Sequence, residues 1–198
     1  MLKMKKGCTV PFPEKVSEAY EVEGNSIIAN IDAEKIKKIL QHFIAMHDEP
    51  QFFILELPTN FNNENIENGN IKQFHKDIYY IDGCTREEAL TILIRVGDLL
   101  INDGLCSFGF GCHESGDEIM FGKYNVTTVF SRNIEKYESF FTEHDIPKTD
   151  NLITAWDTFS EDYPGSSEKY ELNGETVFDI PERFKDWGMY FAERREEN

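Results

Sequence analysis

The sequence predicts an α+β domain built on a mixed, mostly antiparallel sheet with helices mainly on one face. Three observations support this fold class: two strand-helix-strand patterns in the first half of the chain, hairpin patterns in the second half, and more strands than helices in that second half. The 198 residues are 40% hydrophobic, which is enough to bury one core. We expect a single domain over 25–198. Pro11 and Pro13 favour a loosely ordered lead-in over 1–24.

The first strand-helix-strand unit begins with the short apolar stretch NSIIANI (25–31), which predicts a strand. Asp32 follows, and its carboxylate is suited to cap a helix by accepting a bond from a free first-turn N–H. Within 33–47 the apolar residues recur at spacings of three and four, which predicts a helix with one buried face. The apolar run QFFILEL (51–57) predicts the second strand, ended by Pro58.

The second unit follows an Asn-rich stretch over 58–70 that predicts an exposed loop. DIYYI (77–81) predicts a strand, and TREE (85–88) matches the Thr-x-x-Glu capping box. The helix expected over 86–102 is apolar on most of its circumference, which favours a central position in the core. LCSFGFGC (105–112) predicts the next strand. The two units are able to place their strands parallel.

The second half of the chain predicts antiparallel additions to the sheet. DEIMF and YNVTTVF have the pattern of paired strands, and a helix is expected over 133–144. Asn173-Gly174 favours a type I′ turn inside a hairpin over 169–180. MYFAE (189–193) predicts a final strand.

The composition is strongly acidic. Twenty basic and 37 acidic residues give a formal net charge of −17. Such a field repels nucleic-acid phosphate and anionic membrane surfaces, and it attracts basic proteins or metal cations. We therefore expect a basic protein as partner, with no nucleic-acid and no membrane partner. The simpler alternative is that the acidity serves solubility alone.

The sequence contains no stretch that approaches the about 20 apolar residues of a membrane span. The basic start MLKMKK is not followed by an apolar run of signal-peptide length. These observations predict a cytoplasmic protein. The four irregularly spaced cysteines are then expected to be reduced thiols.

The stretch SFGFGCHESGDE (107–118) is the most chemically suggestive of the chain. It lacks the third glycine of G-x-G-x-x-G and the Lys-Ser/Thr of a phosphate loop. The spacing of Cys106, Cys112 and His113 matches no standard zinc site, so no metal and no cofactor is expected. Adjacent strand residues point to opposite faces, which argues against Cys112 and His113 as a nucleophile–base pair. The stretch therefore predicts a strand with a glycine-lined groove on one face, entered beside His113 and Glu114.

A second stretch, TAWDTFSEDYPGSSE (154–168), alternates aromatic and acidic side chains. Aromatic residues supply binding energy at protein interfaces, and carboxylates steer a basic partner. The simpler alternative places Trp156 and Phe159 in the core and the acidic residues in a solvated turn. With the residues at the expected groove, the candidate partner-binding set is Trp156, Asp157, Glu161, Asp162, Tyr163, His113 and Glu114.

Two functions from different classes follow. The first is a non-enzymatic, acidic, cytoplasmic protein-binding module that neutralises a basic partner, as bacterial immunity and antitoxin proteins do. The absence of a catalytic constellation favours it. The alternative is a hydrolase or metal-assisted enzyme using His113 and nearby carboxylates. A homo-oligomer, in which a second copy covers the exposed aromatic residues, is a third possibility.

Overall fold

The computed structural model describes residues 2–48, 50–59, 65–67 and 70–197, and it confirms the predicted fold class. In these ranges the helices are α1 (Ile36–Met46), α2 (Arg86–Asn102), α3 (Glu135–Glu143) and α4 (Ile180–Arg183). The strands are β1 (Cys8–Thr9), β2 (Ala19–Glu23), β3 (Ser26–Asn30), β4 (Gln51–Pro58), β5 (Asn65–Glu67), β6 (Asn70–Cys84), β7 (Ser107–Cys112), β8 (Asp117–Phe121), β9 (Val126–Phe130), β10 (Ser166–Ser167) and β11 (Tyr190–Glu197).

One large sheet organises the molecule, with strands in the order β11-β6-β4-β7-β8-β9-β3-β2. Each neighbouring pair is antiparallel, β5 pairs with β6, and β1 and β10 form a separate small pair. A parallel bridge joins Tyr20 of β2 to Lys148. Because β6 and β7 both pair antiparallel with β4, they point the same way on either side of it. The strands of the second strand-helix-strand unit are therefore parallel without being direct partners.

The helices pack on one face of this sheet. Buried side chains of α1, α2, α3 and α4 form one hydrophobic cluster with the inward residues of β4, β7 and β8. Phe53, Phe108 and Phe110 lie at its centre and are fully buried. The opposite face carries a smaller cluster around Phe52, Ile54 and Ile78, and it has no described helix on it. No helix in the described part of the chain is long and apolar enough to cross a membrane.

The α2 helix shows how local sequence determines an element. Thr85 accepts a bond from the Glu88 N–H, and the Glu88 carboxylate accepts one from the Thr85 N–H, which confirms the capping box. The helix covers Arg86–Asn102, as expected. Its position is less enclosed than its composition predicts, because Ile94 is 70% exposed. One stripe of α2 therefore faces solvent, and Ile94 is an apolar residue among the charged side chains there.

Asp32 does not cap α1 as expected. Its carboxylate accepts a bond from the Glu34 N–H at 2.9 Å and closes a preceding turn, so the helix begins later, at Ile36. Asp32 also accepts a bond from the Lys3 N–H at 2.9 Å. The carboxylate thus anchors residues near the start of the chain to the turn before α1.

Residues 2–24, expected to be a loosely ordered lead-in, contribute β1 and β2 in the structure. Leu2, Cys8 and Val16 are buried. The Lys5 ammonium group is also buried and donates to the Gly122 carbonyl at 3.0 Å. Long-range bonds of this kind, which a search for periodicity cannot detect, hold the segment against the domain.

The loop predicted over 58–70 and the hairpin predicted over 169–180 differ in part from the structure. The loop expected over 58–70 contains β5, and β6 begins at its last residue; residues 60–64 and 68–69 lie outside the described residues. The turn at Asn173-Gly174 is confirmed, since both residues have positive φ, 55° and 81°. Its flanks are shorter than expected: a single bridge joins Leu172 to Glu175, and Val177–Asp179 is a 3-10 helix. The sequence signalled the turn correctly but not the length of its arms.

Candidate functional site

The helix-free face of the sheet, which we call the open face, is organised around β7. Phe108, Phe110 and Cys112 point toward the helices and are buried, as strand alternation predicts. Gly109 and Gly111 lie on the opposite side. Both glycines stay in regular register with β4 and β8, so they mark no bulge. The open face therefore has two positions in its centre without side chains.

The expected glycine-lined groove is largely filled. A Cβ at Gly111 would lie 2.2 Å from Cζ of Phe52, and a Cβ at Gly109 would lie 2.6 Å from the Met120 sulfur. Side chains and backbone of the neighbouring strands, including the Ile119 carbonyl oxygen 2.0 Å from a Cβ at Gly109, thus occupy the space that the glycines leave. The glycines are needed for close packing inside the sheet face, and the accessible space lies beside Phe52.

A single row of residues crosses the open face at one end. Phe52 pairs with Gly111, Gly111 with Glu118, and Glu118 with Phe130 in register on successive strands. Adjacent strands are about 4.8 Å apart, so the Phe52 ring lying over Gly111 comes beside the Glu118 carboxylate. Phe130 lies on the other side of that carboxylate and is 45% exposed. A recess of about 300 Å³, which we call the Glu118 recess, opens here.

His113 stands at the rim of the Glu118 recess. Its ring lies 4.6 Å from the Phe52 ring, centroid to centroid, and its Nε2 lies 3.1 Å from Oδ1 of Asp82. The Tyr190 hydroxyl donates to the other oxygen of Asp82 at 2.5 Å. Asp82 therefore joins β11 to the turn after β7 and fixes the His113 ring over Phe52.

The opposite end of the open face is bounded by Trp156. This indole is 52% exposed and lines a second recess of about 360 Å³ with Ser107, Met120 and Thr128. Nearby, Glu56 accepts a bond from the Lys76 ammonium at 2.6 Å. Ser107 and His113 are at opposite ends of β7, so the two recesses lie about 20 Å apart on one surface.

The candidate partner-binding residues divide between these two ends. Trp156 lies at one end of the open face, and His113 lies at the other with Glu114 exposed in the adjoining turn. Asp157 accepts bonds from the N–H and hydroxyl of Thr154, so it has a structural role in addition to being exposed.

The remaining candidate residues belong to the segment after Trp156. Tyr163 packs on Phe12 at 5.2 Å and is 56% exposed. Glu161 and Asp162 are exposed. Phe159 is only partly buried, and it packs with Trp156 against the ring of Tyr124. The alternative that placed Trp156 in the core is therefore wrong.

A buried polar network lies at the end of the sheet that carries the Glu118 recess, on its helix side. His47 and Asp117 are 3% and 2% exposed, and His47 Nε2 lies 2.8 Å from Asp117 Oδ2. Ser131 donates to the second oxygen of Asp117 at 2.5 Å, and the Lys136 ammonium also contacts the carboxylate. Sequence analysis missed this network, because 70 residues separate His47 from Asp117 and neither belongs to a motif.

The network is suited to holding α1, α3 and β8 together and not to catalysis. His47 Nδ1 donates to the Phe43 carbonyl at 2.7 Å, and its Nε2 lies 3.2 Å from the Tyr137 hydroxyl in addition to Asp117. Both ring nitrogens are thus engaged inside the protein. Ser131 contacts the carboxylate and not the imidazole, which is the wrong order for a Ser-His-Asp triad.

Asp117 and Glu118 are adjacent in sequence but have opposite electrostatic environments. Burial alone would raise the pKa of Asp117, but bonds from Lys136, Ser131, Ser115 and His47 outweigh it and lower that pKa to about 2. Burial raises the pKa of Glu118, and the negative charge of Glu56 raises it further. The Glu118 carboxylate makes no hydrogen bond or ion pair with the residues that the structure describes. The carboxylate of this partly buried side chain is therefore left to solvent on the open face.

The residues around His113 that the structure describes do not form a nucleophile–base pair or a metal-binding group. Cys112 is buried on the helix side, where its thiol contacts the Asp48 carbonyl at 3.8 Å, while His113 is exposed on the open face. In the described ranges, His, Cys, Asp and Glu side chains form no group of three or more that is suited to hold a metal ion. The open face thus presents aromatic rings around a carboxylate that forms no described ion pair.

The fold and the open face define an α+β protein with one bare sheet surface. Comparison with protein-family models, curated proteins and solved structures finds no match to this chain.

Proposed function

We propose that this chain is a non-enzymatic binding module that uses its open face to bind a basic protein. The mode of action would be that of an immunity or antitoxin protein, which neutralises a partner by covering it. The observation that carries the proposal is the composition of the open face. Phe130, Trp156 and Tyr190 expose between 45% and 52% of their surface there.

Exposed aromatic rings on a regular sheet are unusual for a surface that meets only water. Burial of such rings is the main source of binding energy at protein interfaces, where Trp and Tyr are enriched. Strands hold Phe130 and Tyr190, and Trp156 is held in a 3-10 helix by packing against Tyr124 and Phe159, so little conformational entropy is lost on binding. The open face is therefore preorganised for a protein partner, and it extends about 20 Å between its two recesses.

The charge of the chain supports a basic partner. A net charge of −17 accelerates encounters with positively charged proteins and makes the association sensitive to salt. In the free protein, water solvates the unpaired Glu118 carboxylate on the open face. A partner that covers this face would have to supply a cation in place of that water. Charge and exposed aromatic surface thus point to the same partner chemistry.

The test is capture from a lysate of the source cells with the immobilised chain at low and at moderate salt. We expect one stoichiometric partner rich in Lys and Arg, with a slower association at the higher salt. A Phe130→Ala, Trp156→Ala double variant should lose about tenfold or more in affinity, equivalent to about 1.4 kcal/mol or more.

The control is Ile94→Ala, which removes an apolar side chain that is 70% exposed on the helix side. It should retain the partner. Recovery of no stoichiometric partner at either salt would contradict the proposal, as would equal losses in the two variants. A sizing measurement that shows a dimer closed by the open face would replace the basic partner by a second copy.

A hydrolytic role remains as a second candidate because Asp82 orients His113 beside the recess. This candidate predicts that His113→Ala removes a thermal shift produced by Zn²⁺, Mn²⁺, Mg²⁺ or Ca²⁺. Absence of any shift in the unmodified chain would remove the metal-assisted form of this candidate.

A further inference from the structure

The Glu118 recess has the shape and charge of a site for one cationic side chain. Its volume is about 300 Å³, and Phe52, Phe130 and His113 surround the carboxylate. The depth of the recess depends on Gly111, because any side chain there would displace the Phe52 ring that forms one wall. The glycine of the SFGFGC strand therefore helps to build the recess, although it contributes no atom to a ligand.

The carboxylate in this recess is held ready for a ligand. It forms no described ion pair, and Arg195 and His113 act on it only through space. Arg132 also lines the recess, but its guanidinium lies over Gly116, where a Cβ would be 2.9 Å from Nε. A partly buried carboxylate without a partner is unfavourable in the free protein, and an incoming cation relieves that penalty.

The geometry points to an arginine side chain of the basic partner as the occupant of the Glu118 recess. This inference rests on the proposed function and specifies its chemistry. A guanidinium group is planar, so it can stack on the rings of Phe52 or Phe130 while it donates two parallel bonds to one carboxylate. A lysine ammonium group is compact and more strongly hydrated, and it gains less from the aromatic walls.

The recess would then be the specific element of an otherwise diffuse acidic surface. A net charge of −17 attracts any basic protein, but only an arginine placed opposite Glu118 would fill the space between the rings. Binding through this carboxylate requires its ionised form. Since burial and Glu56 raise its pKa, occupancy should decline at mildly acidic pH before most exposed carboxylates are protonated.

The probe for this site is N-acetyl-arginine methylamide, titrated into isotope-labelled protein and followed by NMR. We expect saturable shifts of the Glu118 carboxyl carbon and of the amides of Gly111 and Phe130. The neutral isostere N-acetyl-citrulline methylamide should give none, and the N-acetyl-lysine analogue should bind about threefold or more weakly. Glu118→Gln should abolish the shifts at the amides.

The matched control variant is Glu87→Gln, which removes one exposed carboxylate from the first turn of α2 on the helix side. It should leave the arginine titration unchanged. Amide spectra of both variants establish that they are folded. A third variant, Phe130→Leu, shortens one wall of the recess and keeps its charge, so it should lower the affinity for the arginine probe.

Three outcomes would overturn the inference: shifts spread over the whole acidic surface, equal binding of the lysine analogue, or equal losses in Glu118→Gln and Glu87→Gln. Failure of this inference can be distinguished from failure of the proposed function. If the partner is still captured and still lost on Phe130→Ala with Trp156→Ala, the open face binds it without an arginine at Glu118.

Discussion

At the scale of single residues, the neighbouring Asp117 and Glu118 carboxylates have different roles: the first stabilises the fold, and we propose that the second binds a ligand. Strand alternation sends one carboxylate into a buried network with four polar partners and leaves the other unpaired on the open face. A network that satisfies a carboxylate stabilises the fold, whereas an unsatisfied carboxylate destabilises it slightly and is available to a ligand. Substitution of Asp117 is therefore expected to lower stability, whereas substitution of Glu118 is expected to affect ligand binding.

Replacing Asp117 by Asn should destabilise the protein by about 3 kcal/mol, because the Lys136 ammonium loses its carboxylate partner and His47 loses a charged hydrogen-bond partner. Ser131→Ala, which removes one neutral donor to the same carboxylate, should cost about 1 kcal/mol. Denaturant unfolding at pH 7 measures both. A change below about 1 kcal/mol for Asp117→Asn would contradict the structural role assigned to the network.

The same group predicts a pH dependence of stability. The pKa of Asp117 is lowered to about 2 in the folded protein, against about 3.9 in an unfolded chain. Its contribution is therefore fully present above pH ~4 and is lost as the pH falls toward 2, by roughly 2–3 kcal/mol. Unfolding free energies from pH 6 to pH 2 should show this loss, and Asp117→Asn should remove that part of the slope.

Gly111→Ala tests the packing of the open face. The added methyl carbon would meet the Phe52 ring, so the substitution should destabilise the protein by about 1–3 kcal/mol. Combining it with Phe52→Leu should restore part of the stability lost by Gly111→Ala, because the shorter side chain removes the ring contact, while the Asp117 carbonyl oxygen would still lie 2.8 Å from the added carbon. Thermal unfolding of the two single variants and the double variant measures the coupling. Strictly additive losses would show that the two positions do not share the space.

At the scale of elements, the sequence predicts what local chemistry determines. The capping box places the start of α2, and Asn173-Gly174 places a turn at the correct residues. Elements that depend on distant partners were predicted less well. β2 follows two prolines and acquires its order from pairing with β3, and the Asp32 carboxylate accepts bonds from the Glu34 and Lys3 N–H groups instead of capping α1. Tertiary contacts decide these cases, and local patterns do not contain them.

Thr85→Ala should cost about 1 kcal/mol, because the first turn of α2 loses a side-chain acceptor for the Glu88 N–H. Thr91→Ala is the control, since that exposed hydroxyl only donates back to the Glu87 carbonyl within the helix. It should change stability by less than about 0.5 kcal/mol. Circular dichroism during denaturant unfolding compares the two variants, and equal effects would contradict the capping assignment.

At the scale of the whole molecule, the sheet divides the protein into a side packed by helices and the open face, which we propose binds the partner. Charge composition alone pointed to a basic partner, but it did not identify a surface. Strand alternation in β7 predicted which residues face the helices. The open face itself was not predictable, because it is assembled from strands between residues 52 and 190 that meet only in the folded sheet.

The two tryptophans of the chain provide the most direct measurement of the central claim. Trp156 is on the open face, whereas Trp187 packs on the helix side against Phe184 and Arg95. They are 52% and 39% exposed, so a soluble quencher reaches both in the free protein. Trp187→Phe and Trp156→Phe variants allow each indole to be followed alone.

Acrylamide quenching of these single-tryptophan variants, with and without a saturating amount of the captured partner, decides where the partner binds. The account predicts that complex formation reduces the quenching of Trp156 several-fold and leaves that of Trp187 unchanged. Protection of Trp187, with Trp156 quenched as in the free chain, would place the partner on the helix side and contradict the assignment of the open face.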